Sequence, residues 1–270
     1  AMIYEARPNV TVDAAALCLK SGNACILRGG KEAIHSNRCA VALMRGALAS
    51  VGLPEDCISL VQDTSRESAN ELMHLNGYVD VLIPRGGAGL IRAVASQASV
   101  PVIRTGEGVC HIYVDSDADL DMAANILYNA KCSRPSVCNA VECVLIHEAV
   151  AAEFLQKAVP LLDRKHVELR CDAASLALLG ARAKAAEDAD WDAEYDDYIL
   201  AVHVVRDLDE AMEFIAAHST QHSECIVTES YAKAQRFLDE VDAAAVYVNA
   251  STRFTDGGEF GLGCEMGIST

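Results

Sequence analysis

Cys138 is the side chain in this sequence best suited to covalent chemistry. It lies in Ser133-Arg134-Pro135-Ser136-Val137-Cys138-Asn139-Ala140, between a helical pattern and an apolar strand pattern. Pro135 stiffens the loop that presents the thiol, and Arg134 nearby favours the thiolate, the nucleophilic form. The alternative is one buried structural thiol among eleven cysteines. Two further segments, Leu27-Arg28-Gly29-Gly30-Lys31 and Pro84-Arg85-Gly86-Gly87-Ala88-Gly89, set paired glycines beside a cation where a strand gives way to a helix. Glycines there let backbone N–H groups approach a phosphate at a helix N-terminus. Neither matches G-x-G-x-x-G, so plain tight turns are the competing reading. Asn249-Ala250-Ser251-Thr252-Arg253-Phe254-Thr255-Asp256-Gly257-Gly258 is dense in hydroxyls and holds one guanidinium, which suits a small ligand bearing a carboxylate. His218 and His222 are spaced for one helical turn, but no third ligand accompanies them, so no metal site is expected.

These residues need strands and helices to position them. Apolar runs at Ala24–Leu27, Ile58–Gln62, Val79–Ile83, Val102–Ile103, His111–Val114, Glu142–Ile146, Ile199–Val205, Cys225–Thr228 and Ala245–Val248 read as strands. Helical spacing spans Lys31–Val51, Gly89–Ser96, Asp117–Ala130, Val150–Leu162, Leu208–Ala217 and Tyr231–Val241, with another helix capped by Thr64 or Ser65 and running to Leu75. Residues 173–197 read as a helix followed by a loop, and His111 as a structural histidine. Strand–helix alternation implies parallel sheets covered on both faces, an α/β fold. A Gly-rich connection near Arg104–Gly108 marks the expected domain boundary.

Composition narrows the classes. The 270 residues are 51% hydrophobic and 23% charged, with a mean hydropathy of +0.16, so a packed core is expected. The formal charge of −17 disfavours nucleic acid and anionic membranes as partners. No uncharged apolar stretch approaches a membrane span, and no signal-peptide pattern opens the chain. An odd cysteine count without C-x-x-C argues for a reduced, cytoplasmic protein rather than a disulfide framework or structural zinc. Ala1 precedes Met2 as an added residue would, Ile3-Tyr4-Glu5 reads as the end of a strand, and Gly267-Ile268-Ser269-Thr270 closes no element. The chain is therefore read as truncated at both ends.

Several long segments together resemble the gamma-glutamyl phosphate reductase (glutamate-5-semialdehyde dehydrogenase) family of the aldehyde dehydrogenase superfamily. They are YEARPNVTVDAAALCLKSGNACILRGGKEAIHSN (4–37), DTSRES (63–68), LNGYVDVLIPRGGAGLI (75–91), HIYVDSDADLDMA (111–123), RPSVCNA (134–140), HSECIVT (222–228) and VDAAAVYVNASTRFTDGGEFG (241–261). The resemblance implies an NADP-binding α/β domain over 1–104, a catalytic cysteine domain over 105–250 and a return segment with a substrate loop over 251–270, the active site lying in the cleft between the domains. It implies reduction of L-glutamyl 5-phosphate by NADPH to L-glutamate 5-semialdehyde, in proline biosynthesis. Cys138 becomes the nucleophile, with Asn9 near the superfamily's oxyanion asparagine. Arg28, Gly29, Gly30, Lys31, Gly86, Gly87 and Glu194 fall to the cofactor, a cation at Lys31 suiting the 2′-phosphate of NADP. Arg134, Asn139, Ser251, Thr252 and Arg253 fall to the substrate. Hydrolytic relatives place a water-activating glutamate where this chain has Thr105, with Glu107 two residues away. A homo-oligomer in the full-length form and a partnering glutamate kinase are further implications. A coenzyme A-dependent acylating dehydrogenase and a silent nucleotide-binding or interaction module are the alternatives.

Overall fold

A computed structural model describes residues 1–104, 106–263 and 265–270, with Ala88 described by its backbone alone. The chain forms two compact units, Ala1–Thr105 with Phe260–Ser269, and Gly106–Glu259 with Thr270.

The first unit is built on β1 (Met2–Tyr4), α1 (Asn9–Lys20), β2 (Cys25–Arg28), α2 (Ile34–Ser50), β3 (Ile58–Leu60), α3 (Arg66–Met73), β4 (Ile83–Arg85) and α4 (Ala88–Gln97). Its four-stranded parallel sheet has the order β3-β2-β1-β4. The buried central strand reads Met-Ile-Tyr, and its side chains alternate between faces. Met2 and Tyr4 join Leu27, Val41 and Ile58 on one side, while Ile3 joins Leu72, Leu82 and Val94 on the other. Ser65 caps α3 by accepting the Ser68 N–H. The strand expected over Val79–Ile83 lies farther along, at Ile83–Arg85, and includes Pro84. A proline is tolerated there because β4 comes last in the strand order of the sheet, beside β1. Val102 contributes one bridge, to Leu82, instead of a strand.

The second unit comprises β5 (Cys110–Val114), α5 (Leu120–Cys132), β6 (Val141–His147), α6 (Ala151–Leu162), β7 (Glu168–Cys171), α7 (Ala173–Leu179), β8 (Lys184–Ala185), β9 (Ile199–Val205), α8 (Leu208–His218), β10 (Ser223–Val227), α9 (Tyr231–Glu240) and β11 (Ala245–Val248). Its seven-stranded sheet is parallel throughout, in the order β11-β10-β5-β6-β9-β7-β8. The pleat sorts the residues of its central strands. Ile112, Val144 and Val202 face α5 and α6 with Leu127, Phe154 and Leu155, while Tyr113, Leu145 and Ala201 face α8 and α9 with Ile215 and Phe237. Strands β7 and β8 appear where a strand was not expected and where a loop was, respectively. Among the described residues no helix is long and apolar enough to cross a membrane.

Candidate active site around Cys138

Helix α5 begins with Asp119 accepting the N–H groups of Asp121 and Met122. It ends at Cys132, because Pro135 disfavours helical backbone at the residue before it. The chain then enters a tight turn in which the Ala140 N–H donates to the Val137 carbonyl at 2.9 Å, with Cys138 and Asn139 at its centre. Cys138 is half-buried and Arg134 is exposed.

The turn is held from two sides. Beneath it runs the segment entering β5. A Cβ on Gly108 would come within 1.5 Å of the Cys138 carbonyl oxygen and 2.8 Å of its Cα, so only glycine lets the two backbones meet. The Cys110 thiol donates to that carbonyl at 3.3 Å, and burial holds this thiol well above its ordinary pKa. On the other side stands the loop after β11. Asn139 is 3% exposed, and its side chain donates to the Thr255 carbonyl at 2.9 Å and accepts from the Arg253 guanidinium. The buried Thr252 hydroxyl donates to the Asn139 carbonyl at 2.7 Å. Ser251 caps the short turn Thr252–Phe254, and the Tyr247 hydroxyl bonds that of Thr255. Arg253 keeps one buried Nε–H without a partner among the described residues.

Glu194 is oriented toward this arrangement. Its Oε1 accepts the Gly108 N–H at 2.9 Å, and burial raises its pKa against that bond. The two ends of the loop that carries the thiol are tied together by Lys131, in the last turn of α5, and Glu142, in β6. Their Nζ and Oε2 are 2.6 Å apart with exposures of 0% and 1%. Burial pushes the Glu142 carboxyl up and the Lys131 ammonium down, in each case against the attraction of the partner.

In the first unit the two glycine turns meet one residue. Glu5 follows β1, whose neighbours β2 and β4 end in those turns. A Cβ on Gly86 would sit 2.6 Å from the Glu5 carboxyl carbon, and one on Gly30 3.3 Å from the Glu5 backbone carbon. Gly87 caps α4. Arg28 is 9% exposed and donates to the carbonyls of Thr64 and Ser65 at 2.7 and 2.5 Å, fixing the start of α3. Its Nε has no partner among the described residues, nor has Asn37 Nδ2, which faces Gly29. Tyr4, Thr11 and Asn37 form a buried chain of hydrogen bonds at 2.7 and 2.9 Å. Lys31 and Asn9 are exposed, Asn9 as the first residue of α1.

Glu5, Asn37, Gly108 and Thr255 were not singled out from sequence. A glycine immediately before the Val109–Val114 apolar run was the available signal for Gly108. For the others only the fold shows the convergence. Thr105 lies outside the described residues. His218 ends α8 and pairs with Asp192 at 2.8 Å, while His222 precedes β10 and is buried. Among the described residues no three His, Cys, Asp or Glu side chains gather to hold a metal ion.

Comparison with known proteins agrees with this architecture. Residues 7–177 match the model of the aldehyde dehydrogenase family. Gamma-glutamyl phosphate reductases from Halothermothrix orenii and Streptococcus suis are 59% and 60% identical, each over 269 residues. Both matches cover 100% of this chain and 64% and 65% of the relatives, so the chain spans just under two thirds of their length. The crystal structure of the Thermotoga maritima gamma-glutamyl phosphate reductase superposes with a TM-score of 0.96 at 49% identity, over 100% of this chain and 65% of that one. An acetylating aldehyde dehydrogenase from Geobacillus thermoglucosidasius, 19% identical with a TM-score of 0.71 over 98% of this chain and 67% of that one, shares the fold. With a family match over more than half its residues and this parallel α/β architecture, the chain belongs to the aldehyde dehydrogenase family.

Proposed function

We propose that this chain carries the chemistry of a gamma-glutamyl phosphate reductase: NADPH-dependent conversion of L-glutamyl 5-phosphate to L-glutamate 5-semialdehyde and phosphate, in proline biosynthesis. The observation that carries the reading is the Cys138 turn, clamped between Gly108 and the 251–255 loop, in a chain about 60% identical to curated reductases of that name. In this reading the Cys138 thiolate attacks the acyl carbon, and the C–O bond to phosphate breaks with its electron pair leaving on phosphate. A reduced nicotinamide, when bound, supplies the hydride that converts the resulting thioester to the aldehyde, with release of the thiolate.

The chain's own groups do the positioning. The fixed turn aims backbone N–H groups at the developing oxyanion, and Asn9 is the proposed side-chain donor. Arg134, exposed beside the turn, takes the leaving phosphate. Ser251 and Arg253 take the glutamyl head group, the Arg253 Nε–H, which has no partner among the described residues, pointing to its carboxylate. Thr252 and Asn139 act from beneath, since their polar atoms already hold the loop and turn together. The first unit suits a dinucleotide. Arg28 Nε and Asn37 Nδ2 are buried donors without partners among the described residues, Gly87 opens α4, and Lys31 is exposed at a strand-end turn. Arg28, Gly29, Gly30, Lys31, Gly86 and Gly87 would hold it, Lys31 facing the 2′-phosphate of NADP.

The test is Cys138→Ser, assayed as NADP-dependent oxidation of the semialdehyde with phosphate or with coenzyme A as acceptor. We expect phosphate alone to support the parent chain and the variant to lose activity at least about a thousandfold, as for a covalent nucleophile. Turnover retained by the variant sinks the nucleophile. Turnover supported by coenzyme A instead sinks the substrate class.

A further inference from the structure

Among the described residues Glu194 meets a backbone amide where a cation would be expected. Its Oε1 receives the Gly108 N–H at 2.9 Å. Gly108 in turn is pressed on the Cys138 peptide so closely that a single methyl would overlap the Cys138 carbonyl. The next two residues complete a rail under the turn: the Val109 N–H donates to Thr220 Oγ1 at 3.0 Å, and the Cys110 thiol donates to the Cys138 carbonyl at 3.3 Å. Gly108 lacks a side chain with which to anchor itself, so its placement depends on its backbone bonds. The Glu194 carboxylate supplies one of them from a separate segment, Trp191–Tyr195, which is fixed by the Tyr195 hydroxyl on the Asp190 carbonyl at 3.1 Å.

From this geometry we infer that Glu194 is a positioning residue, acting through the Gly108 amide on the backbone of the Cys138 turn. This deepens the proposed reductase reading and rests on it for its kinetic consequence. Glu194 sets where the sulfur stands, and a carbonyl oxygen in the same place does the same work, because the bond needs an acceptor and not a charge. That separates this role from contact with a cofactor ribose, which would be read in cofactor affinity.

Glu194→Ala and Glu194→Gln in this chain test it, with Gly108→Ala as a probe of the same contact from the other side. Hydrogen exchange, followed on the peptides covering 106–112 and 134–142, needs no turnover. We expect Glu194→Ala to speed exchange at the Gly108 amide about tenfold, the loss of one hydrogen bond, and Glu194→Gln to restore protection to within about threefold of the parent. In NADPH-dependent turnover, Glu194→Ala is expected to lower kcat about tenfold or more with KM for NADPH within about twofold, again with rescue by glutamine. Unchanged exchange in Glu194→Ala overturns the proposal, as does failure of glutamine to restore protection. A rise in KM for NADPH at unchanged kcat assigns Glu194 to the cofactor and overturns it too. Should the Ala variant not fold, the Gln variant and Gly108→Ala decide: protection kept in the first and a displaced, faster-exchanging turn in the second are required. If the parent shows no reductase turnover, the functional reading fails while the exchange comparison still judges the positioning role.

Discussion

At the level of single residues, the thiol is placed by groups that do not themselves react. Gly108 makes the most severe case. Alanine there must move the Cys138 backbone, since a Cβ would lie 2.4 Å from its carbonyl carbon. Gly108→Ala is expected to destabilise the second unit by about 1–3 kcal/mol, as overpacking does. It is also expected to change the alkylation rate of Cys138 by iodoacetamide by about tenfold, measured on the 134–142 peptide; an unchanged rate would show that the turn does not depend on that contact. Cys138 stood out in the sequence because Arg134 and Pro135 flank it. Gly108 did not, because a glycine before a strand is common and only the close approach of another backbone distinguishes this one. Thr252 drew attention through its hydroxyl-rich loop and Asn139 through the resemblance, and what only the fold shows is that their polar atoms also tie the 252–255 loop to the Cys138 turn.

At the level of elements, burial and periodicity made most of the chain legible. β9 and β11 run over the very residues whose apolar pattern marks them, and α2, α5, α6, α8 and α9 lie within a few residues of expectation. β7 was hidden because Glu168 and Arg170 alternate with Leu169 and Cys171 in a stretch too short for its period to show. β8 has two residues and pairs only at the sheet edge. α7 between them is fixed by its cap. Asp172 accepts from the Ser175 N–H and hydroxyl, from His203 and from the Val204 N–H. Burial alone would raise this carboxyl, but His203, Ser175 and Val204 outweigh it and bring it down to about 2. Its folded pKa is thus below the ordinary carboxylate value of about 3.9, so its contribution is present above pH ~4 and fades as pH falls toward 2. Asp172→Asn is expected to lower stability by about 2 kcal/mol at pH 6 and to narrow that gap toward pH 3, seen in urea midpoints at each pH. A gap independent of pH would show the bonds to be worth no more than those of a neutral amide.

On the scale of the whole molecule, each unit has its own apolar core, and the single tryptophan, Trp191, belongs to the second. Its fluorescence therefore reports one unit, whereas far-ultraviolet circular dichroism reports both. Lys131→Met strands the buried Glu142 carboxylate, and losing one partner of a buried pair is expected to cost about 3–5 kcal/mol. The tryptophan transition should move to lower urea by the corresponding amount, and the Lys131→Met, Glu142→Leu double variant should recover most of it. A double variant as weak as the single one would mean that the pair contributes more than mutual neutralisation.

The clamp on Asn139 joins residues 113 to 116 positions apart, and its far half is the last segment of the second unit. A chain emerging from the ribosome lays down β5, β6, β9 and β10 before Thr252 has been made. The sheet can assemble while the turn above it is still loose. The setting of the thiol is therefore acquired after the strands beneath it and is lost when the 251–255 loop frays, so a molecule nicked there keeps its scaffold without an aligned thiol.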